Sequence, residues 1–432
     1  MTGSHSDAGG DGMFITRAIE KKITSINDSF PVLLLTGPRQ VGKTTLLKKM
    51  ADKSKKYVSL DNPTYRMLAQ NEPELFLQRF SPPVLIDEVQ YAPMLFPCIK
   101  AYADEHKSCG DFWLTGSQTF HLMKNITESL AGRVGVVRML GLSNSEINGN
   151  DFSLFEVEPT SLIQKMSDVK KMNVSELFER IYQGSMPRLY ELPRTDRDDY
   201  YESYLETYIS RDIKDLTQVA DALSFFRFIG VAAARTATNV NYETLAAETG
   251  VSPPTAKQWL SILVSSGLVA LIEPYFNNAL KRVIKAPRMY FLDTGLCSYI
   301  TRWNSAEALE AGAMSGEFFE TWVVSEIIKN YLNNGKRPPL YFYRDSNKKE
   351  IDLIIHQNNT VYPIEIKKST APKNAIRHFS VLKPIEEEPS EEDRFSGAAH
   401  LKTKIGTGAV ICLAPDVTPI DSRNWYIPAW LI

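Results

Sequence analysis

The residues whose types and spacing best fit a chemical role form one run near the N-terminus. The run, with the residue that follows it, is Gly37, Pro38, Arg39, Gln40, Val41, Gly42, Lys43, Thr44 and Thr45. It fits the pattern G-x-x-x-x-G-K-[ST], whose glycines let the backbone fold around phosphates with its N–H groups pointing inward. Lys43 would neutralise the β- and γ-phosphates, and the Thr44 hydroxyl would ligate Mg²⁺. Residues 37–44, called the phosphate loop below, therefore predict a site for ATP and Mg²⁺.

Two carboxylates follow a second apolar run farther along the chain. Asp87 and Glu88 come directly after Pro83–Ile86, which reads as a short strand. Asp87 at the strand tip is predicted to hold the hydration shell of Mg²⁺, as a Walker-B aspartate does. Glu88 is predicted to act as the general base that polarises the attacking water.

Two further polar residues extend the predicted site. The run Phe112–Thr115 leads into Gly116-Ser117-Gln118, and Ser117 is a candidate contact for the γ-phosphate or the lytic water. The alternative is a plain Gly-Ser turn. Arg133, in the run Ser129–Arg133, is a candidate phosphate contact in this chain or from a neighbouring subunit. A surface arginine is the alternative.

A second group of acidic residues lies near the C-terminus. Asp352 is in an apolar run, Glu365 and Lys367 are in the run Val361–Lys367, and Glu320 is on an amphipathic helix that starts near Gly316. The D…ExK pattern resembles that of restriction-endonuclease-like folds. Asp352 and Glu365 on adjacent strands could converge on Mg²⁺, with Lys367 on the same face as Glu365 and Glu320 as an extra ligand. The alternative is a scaffold in which the charges form a buried network and Lys367 is structural.

The elements that must position these residues are visible in the hydrophobic pattern. Between residues 14 and 147, helical patterns alternate with short apolar runs, which predicts a parallel sheet flanked by helices. The runs are Val32–Thr36, Tyr57–Leu60, Val84–Ile86, Phe112–Thr115 and Val136–Leu140. A mostly helical stretch and a further α/β segment follow, so the predicted fold class is α/β.

Residues 241–263 predict a helix–turn–helix. Gly250 permits the turn, Ser252 caps the second helix, and Gly267-Leu268-Val269 starts a wing. Between Glu273 and Asp293 the sequence contains four basic residues and no acidic one, which suits contact with DNA phosphates. Those bases are Lys281, Arg282, Lys285 and Arg288. Because the second helix has Lys257 as its only charge, docking to a protein is the alternative.

Composition bounds the remaining possibilities. The 432 residues include 49 basic and 51 acidic ones, so any nucleic-acid role must come from a local patch. The four cysteines form no CxxC pair, which favours reduced thiols and a cytoplasmic location. No apolar run reaches the length of a membrane helix, and residues 1–13 read as a flexible tail rather than a signal peptide.

Together these motifs resemble the prokaryotic AAA-type ATPases that carry a C-terminal domain of unknown function. The resemblance rests on GPRQVGKTT, LIDEVQ, LTGSQ and SLAGR, then on residues 184–187, 208–213, 287–296 and 365–367. Where this family usually has Gly-Gly-Phe-Pro, the chain has Gly-Ser-Met-Pro. The resemblance implies an ATPase domain at 14–150, a helical region at 151–235, a winged-helix-like domain at 236–300 and a nuclease-like end at 301–432. It also implies a homo-oligomer in which Arg133 or Arg211 completes a neighbour's site.

Three functional hypotheses remain open at this stage. The first is a Mg²⁺-dependent ATPase whose nucleotide state controls C-terminal modules that bind DNA or protein. The second is a nucleotide-dependent switch that does not hydrolyse ATP, and the third is an ATP-gated nuclease. No guanine-reading motif is visible, and the sequence does not fix the preference for ATP over other nucleotides.

Overall fold

The structure is a computed structural model of the full chain. It describes residues 14–116, 129–150, 152–192, 195–207, 222–276, 286–384 and 403–432. The predicted tail, Ser117, Arg211 and three of the four basic residues of the predicted wing lie outside the described residues.

The N-terminal part contains a five-stranded parallel sheet. Its strands are β1 (Val32–Thr36), β2 (Lys56–Ser59), β3 (Val84–Asp87), β4 (Phe112–Gly116) and β5 (Val134–Arg138). Their order in the sheet is β2-β3-β4-β1-β5. Every residue of β1, β3 and β4 is buried, as expected for strands covered on both faces. Because all five strands are parallel, their carboxyl ends meet at one edge, where the phosphate loop and Asp87 lie.

Helices flank this sheet. They are α1 (Glu20–Asn27), α2 (Lys43–Met50), α3 (Pro63–Asn71), α4 (Pro73–Arg79) and α5 (Leu95–His106), with a 3₁₀ turn at Val89–Tyr91. The order strand, glycine-containing loop, helix at the phosphate loop is the arrangement that its sequence predicted. The helix begins at Lys43, two residues before the predicted start at Thr45.

The central part is mostly helical. Its helices are α6 (Asn144–Asn148), α7 (Pro159–Lys165), α8 (Val174–Gln183), α9 (Arg188–Glu191), α10 (Arg197–Thr207), α11 (Ala222–Ala233), α12 (Tyr242–Thr249) and α13 (Pro253–Ser265). Gly250 ends α12 with a φ of 73°, and the Ser252 hydroxyl caps α13 by accepting from the Thr255 N–H at 3.3 Å. The apolar residues of α13 face inward because of their helical spacing. These buried residues are Ala256, Trp259, Leu260, Ile262 and Leu263.

A mixed ten-stranded sheet forms the C-terminal part. The helices of this part are α14 (Thr294–Ile300), α15 (Ala306–Ala311) and α16 (Ser315–Asn333), and 3₁₀ turns lie at Ala375–Val381 and Ala429–Leu431. Its strands are β6 (Thr238–Asn239), β7 (Val269–Pro274), β8 (Arg288–Phe291), β9 (Leu340–Arg344), β10 (Glu350–Gln357), β11 (Thr360–Lys367), β12 (Lys404–Ile405), β13 (Gly408–Cys412), β14 (Thr418–Pro419) and β15 (Asn424–Pro428). Nine of them run in the order β14-β15-β13-β11-β10-β9-β7-β8-β6, and β12 pairs with β11.

The sheet crosses the boundary that the sequence placed at residue 300. Strand β7 pairs in parallel with β9, with Glu273 opposite Tyr341, and the Tyr275 N–H donates to the Phe342 carbonyl at 2.6 Å. The central strands and the C-terminal strands therefore share one hydrogen-bonded layer.

The predicted class is confirmed: a parallel sheet with flanking helices is followed by a helical region and a mixed sheet. Strand β5 begins at Val134 rather than at Val136, because its alternating burial includes the half-buried Val134 and the buried Gly135. The structure contains, in its described part, no helix with the length and apolarity needed to cross a membrane.

Candidate functional site

The phosphate loop adopts a conformation that depends on its glycines. Gly37 has a φ of 147°, and a Cβ built on it would lie 1.9 Å from the Met139 carbonyl oxygen. Gly42 has a φ of 91° and directly precedes α2, so the loop delivers its backbone to the helix N-terminus. A helix N-terminus and inward-facing amides together favour an anion. The loop is thus shaped for phosphate, as its sequence predicted.

The side chain of Lys43 lies within this loop. Its ammonium donates to the carbonyl oxygens of Gly37 at 2.9 Å and of Pro38 at 2.6 Å, and the residue is buried. The charge is therefore held inside the loop whose ligand it would neutralise.

Asp87 lies at the tip of β3, opposite the start of α2. Its Oδ1 accepts from the Thr44 hydroxyl at 2.8 Å and from the Thr115 hydroxyl, and its Oδ2 accepts from the Tyr57 hydroxyl at 3.1 Å. Burial and the neighbouring Asp87 raise the pKa of Tyr57 to about 12, so Tyr57 remains a donor at neutral pH. The Thr44–Asp87 pair is the oxygen set that would hold Mg²⁺ and its water shell.

Glu88 directly follows Asp87 in a left-handed backbone conformation, with φ at 56°. Its N–H donates to the Thr115 hydroxyl at 3.3 Å, and its carboxylate accepts from the Gln90 side-chain amide. Burial raises the pKa of the Glu88 carboxyl, and the Gln90 hydrogen bond and the Lys43 charge oppose this rise without cancelling it. A carboxylate with a raised pKa beside a phosphate site suits a general base.

A cleft of about 500 Å³ opens beside the phosphate loop. Its lining includes residues 39–46 and Glu88 of the N-terminal part, together with Pro187, Arg188 and Glu191 of the central part. Arg188 is exposed, and within the described part of the chain its side chain makes no ion pair or hydrogen bond. Arg188 therefore lines the same cleft as the loop that would hold the phosphates.

Arg17 fixes the floor of this cleft. Its guanidinium donates to the Val41 carbonyl at 2.8 Å and the Leu140 carbonyl at 2.8 Å, and it pairs with Glu146 at 3.0 Å. Since Arg17 and Glu146 are both buried, the pair ties the phosphate loop to the start of the central part.

Arg133 lies at the opposite edge of the sheet from the phosphate loop. It precedes the first residue of β5, and its guanidinium pairs with Asp104 of α5 and donates to the Ala131 carbonyl. This position is inconsistent with a contact to this chain's own nucleotide, because β1 and β5 run parallel and the loop leaves the far end of β1. Two interpretations of Arg133 stay open, a contact to a neighbouring subunit's site and a surface arginine, and its ion pair with Asp104 fits the second.

The C-terminal candidates converge as the sequence predicted. Lys367 donates to Asp352 at 3.0 Å and pairs with Glu365 at 2.7 Å, while Glu320 reaches the same cluster from α16. Burial would lower the pKa of Lys367, but Asp352 and Glu365 raise it overall, so its charge is secure. Burial, with the charge of Asp352, raises the pKa values of Glu320 and Glu365.

Arg288 enters this cluster, which corrects its predicted role as an exposed wing base. Its guanidinium pairs with Glu320 at 3.2 Å, Glu350 at 2.9 Å and Asp352 at 3.7 Å, and only 7% of its side chain is exposed. The sequence run around Arg288 holds no acid, but the fold brings three from α16 and β10. We call Glu320, Glu350, Asp352 and Glu365 the carboxylate cluster.

Three family descriptions match separate parts of the chain. Residues 29–148 match an AAA domain, and residues 174–307 and 315–432 match two domains of unknown function, DUF8612 and DUF4143. The first match contains the phosphate loop, Asp87 and Glu88. The chain joins an AAA-type P-loop domain to a C-terminal DUF4143 domain. In these terms, Arg188 and Arg288 belong to the DUF8612 segment, and the carboxylate cluster belongs to the DUF4143 domain.

Relatives of the whole arrangement are themselves uncharacterized. The proteins Rv2008c of Mycobacterium tuberculosis and Mb2031c of Mycobacterium bovis are each 29% identical to this chain over 346 residues, which cover 79% of this chain and 71% of each relative. Among solved structures, the Thermotoga maritima RuvB Holliday junction branch migration motor is 15% identical with a TM-score of 0.29, over 58% of this chain and 88% of that one. A DNA replication initiation factor is 14% identical with a TM-score of 0.22, over 58% and 90% of the two chains. Likeness at these TM-scores carries no functional argument.

Several residues of the nucleotide cleft carry no short sequence signature. Tyr57, Thr115 and Gln90 support the two acidic residues of the AAA domain, and Arg17 supports the loop. Thr115 ends the strand-like run that the sequence identified, two residues before the predicted Ser117. Its position at a strand tip next to β3 is the one signal that pointed to it.

Proposed function

We propose that this protein is a Mg²⁺-dependent ATPase that converts ATP to ADP and phosphate in its AAA domain. The observation that carries the proposal is the link from Thr44 to Asp87, with Glu88 as the next residue in the chain. Thr44 and Asp87 supply the oxygens for Mg²⁺, Lys43 supplies the countercharge for phosphate, and Glu88 accepts a proton from water. Bound Mg²⁺ would neutralise charge on the β- and γ-phosphates.

The same proposal assigns a role to Arg188, which lines the cleft. Because Arg188 belongs to the DUF8612 segment and shares the cleft with the phosphate loop, a γ-phosphate would attract it, and ADP would attract it less. The contact between the AAA domain and the DUF8612 segment would then differ between the ATP-bound and the ADP-bound states. The arrangement supports control of the C-terminal part by ATP.

A non-hydrolysing nucleotide switch is the second candidate, because Arg188 could distinguish ATP from ADP without any hydrolysis. The half-buried Glu88 carboxylate, whose pKa burial raises, favours hydrolysis over this alternative, since a switch needs no base at that position. An ATP-gated nuclease is less well supported, because Lys367 and Arg288 already neutralise the carboxylates that would hold metal.

We further propose that the protein forms a homo-oligomer in which Arg133 or Arg211 completes a neighbour's nucleotide site. The Arg133 side chain is partly exposed and lies at the end of the sheet away from its own phosphate loop, which supports that arrangement. Light scattering with and without MgATP measures the oligomeric state. A strict monomer that hydrolyses ATP fully would remove this part of the proposal.

Partners beyond ATP are proposed for helices α12 and α13, which could bind DNA or a protein. The exposed Lys257 is the only charged residue on α13, so a basic DNA contact would depend on Lys281, Arg282 and Lys285. A cytoplasmic location is also proposed, because all four cysteines are free thiols.

Nucleotide binding tests the first step of the proposal. Isothermal titration of the full-length protein with MgATP is expected to give one site per chain, and Lys43→Ala is expected to abolish it or weaken it severely. Lys53→Ala, which removes an exposed lysine just beyond α2, is the matched control and should bind as the parent does. Equal binding by the Lys43→Ala protein would refute the assignment of the phosphate loop.

A further inference from the structure

A short stretch of chain, residues 139–146, follows the last strand of the AAA domain and is called the connecting segment below. The carbonyl oxygen of its first residue lies 1.9 Å from where a Cβ on Gly37 would be, so the phosphate loop packs directly on it. Arg17 adds a second attachment, because its guanidinium donates to the carbonyls of Val41 in the loop and Leu140 in the connecting segment, each at 2.8 Å. The shape of the phosphate loop therefore depends on where the connecting segment lies.

The same segment is attached on its other side to helix α16 of the DUF4143 domain. Glu326 accepts from the Asn144 N–H at 2.7 Å, and Lys329 donates to the Leu142 carbonyl at 3.1 Å. The two charged side chains also pair with each other at 2.8 Å. Glu326 is 4% exposed and Lys329 is 2% exposed, so both contacts are shielded from water.

This buried ion pair fixes the connecting segment as well as α16. Burying an ammonium and a carboxylate costs free energy that their attraction returns only in a well-defined geometry. Here that geometry includes one N–H and one carbonyl of the connecting segment. Within the segment, the Ser143 N–H donates to Glu146 at 2.7 Å, and Glu146 accepts from Arg17 at 3.0 Å. Buried contacts thus run without a gap from α16 to the phosphate loop.

We propose that α16 of the DUF4143 domain belongs to the machinery that binds nucleotide, with Glu326 and Lys329 as positioning residues for the phosphate loop. The inference rests on the proposed binding of ATP by that loop. Both residues lie outside the lining of the cleft and act through the connecting segment. Because the backbone amides of a phosphate loop cradle the α- and β-phosphates, which ATP and ADP share, loss of this support weakens the binding of both nucleotides alike.

Nucleotide titration of the full-length protein tests the proposal. A protein that carries both Glu326→Gln and Lys329→Met loses the two charges together, so no buried charge remains unpaired. It is expected to bind MgATP and MgADP about 10-fold more weakly than the parent, a loss typical of coupled sites. In turnover, KM for MgATP should rise by the same factor while kcat is kept, because the proposed base Glu88 is held by Thr115 and Gln90 and not by the connecting segment.

Asn330→Leu is the matched control. Asn330 is also a buried residue of α16 that binds backbone, but its partners are the Ser153 carbonyl and the Phe155 N–H, beyond the connecting segment. This variant should lose stability and keep the parent's affinity for both nucleotides. Equal weakening by Asn330→Leu, or parental affinity in the folded double variant, would overturn the proposal. A parent that binds neither nucleotide would refute the proposed function itself, and this inference with it.

Hydrogen exchange in the parent supplies a check that does not depend on how any variant folds. Coupling between sites is reciprocal, so a nucleotide that binds the phosphate loop must stabilise the attachment of α16. No described residue of α16 lines the cleft, so direct contact with the nucleotide does not account for such an effect. MgADP should slow amide exchange in residues 323–333 more than in strand β10 of the same domain, and should change neither in Lys43→Ala. Equal slowing of the two elements in the parent, or none, would overturn the proposal.

Discussion

Ser185 and Asp293 are joined by two hydrogen bonds although 108 residues separate them in the chain. The Ser185 backbone N–H and hydroxyl both donate to Asp293 Oδ2, at 2.8 and 2.5 Å. Asp293 also caps α14 through the Leu296 N–H and accepts from the Tyr201 hydroxyl. The Ser185 carbonyl accepts from the Leu142 N–H at 2.7 Å, so the contact links the AAA domain to β8.

Both partners of this contact are close in sequence to residues of the cleft and of the carboxylate cluster. Two residues after Ser185 the chain reaches Pro187 and Arg188, which line the nucleotide cleft. Five residues before Asp293 it begins β8 with Arg288, which fills the carboxylate cluster. The AAA domain, the segment that carries Arg188 and the segment that carries Arg288 thus meet at one buried hydrogen-bonded junction.

Removing this junction should uncouple and destabilise the protein. Asp293→Ala removes the acceptor of the buried Ser185 N–H and hydroxyl and of the Leu296 N–H, at an expected cost of about 3 kcal/mol. The midpoint of thermal unfolding should fall clearly more than for Ser305→Ala, which removes a partly exposed helix cap worth about 1 kcal/mol. If the midpoint of thermal unfolding fell equally in the two variants, the junction would contribute no more to stability than an ordinary helix cap.

Arg188→Ala should weaken ATP binding more than ADP binding. A charge-assisted hydrogen bond to a γ-phosphate contributes about 1.5–3 kcal/mol, which corresponds to a loss of about 10- to 100-fold in ATP affinity. Arg235→Ala, at a position that pairs with Glu248 and does not line the cleft, is the matched control. Equal losses for ATP and ADP would contradict a γ-phosphate contact.

The pH dependence of turnover should depend on Gln90. Its side-chain amide donates to the ionised Glu88 carboxylate and so lowers the pKa of Glu88, partly offsetting the rise caused by burial. Gln90→Leu removes that donor, so the pKa of Glu88 rises further and less of the base is ionised at a given pH. The acid limb of the kcat/KM profile should therefore move to higher pH, while activity on the alkaline side is kept.

The control for this shift is Gln70→Leu. Gln70 is exposed and donates to the Tyr91 carbonyl rather than to Glu88. Its acid limb should coincide with that of the parent. If Gln90→Leu also leaves the acid limb in place, then Glu88 is not the group that titrates there.

The sequence predicted those parts of the fold and of the sites whose contacts are formed between residues close together in the chain. The phosphate loop, Asp87 and Glu88 are recognisable because a buried strand, a turn and a helix follow one another within a few residues. The convergence of Asp352, Glu365 and Lys367 was also predictable, because β10 and β11 are joined by a two-residue turn.

Contacts between distant segments were not predictable. Arg288 was interpreted as a basic residue of the wing because no acid lies between Glu273 and Asp293, whereas its carboxylate partners are 32, 62 and 64 residues away. Arg17 likewise reaches Glu146 across 129 residues. Neither pairing has a spacing that a local pattern can reveal, since each is set by how whole elements pack.

The most direct test of the account is the rate of phosphate release by the Glu88→Gln protein with MgATP. The parent should turn over ATP in a Mg²⁺-dependent reaction. Glu88→Gln should bind MgATP nearly as the parent does, since Lys43 and the phosphate loop are intact, but should lose about 10²-fold or more in turnover because it lacks the base. Phosphate release at the parental rate by Glu88→Gln, or none by the parent itself, would contradict the assignment of this chain as an ATPase.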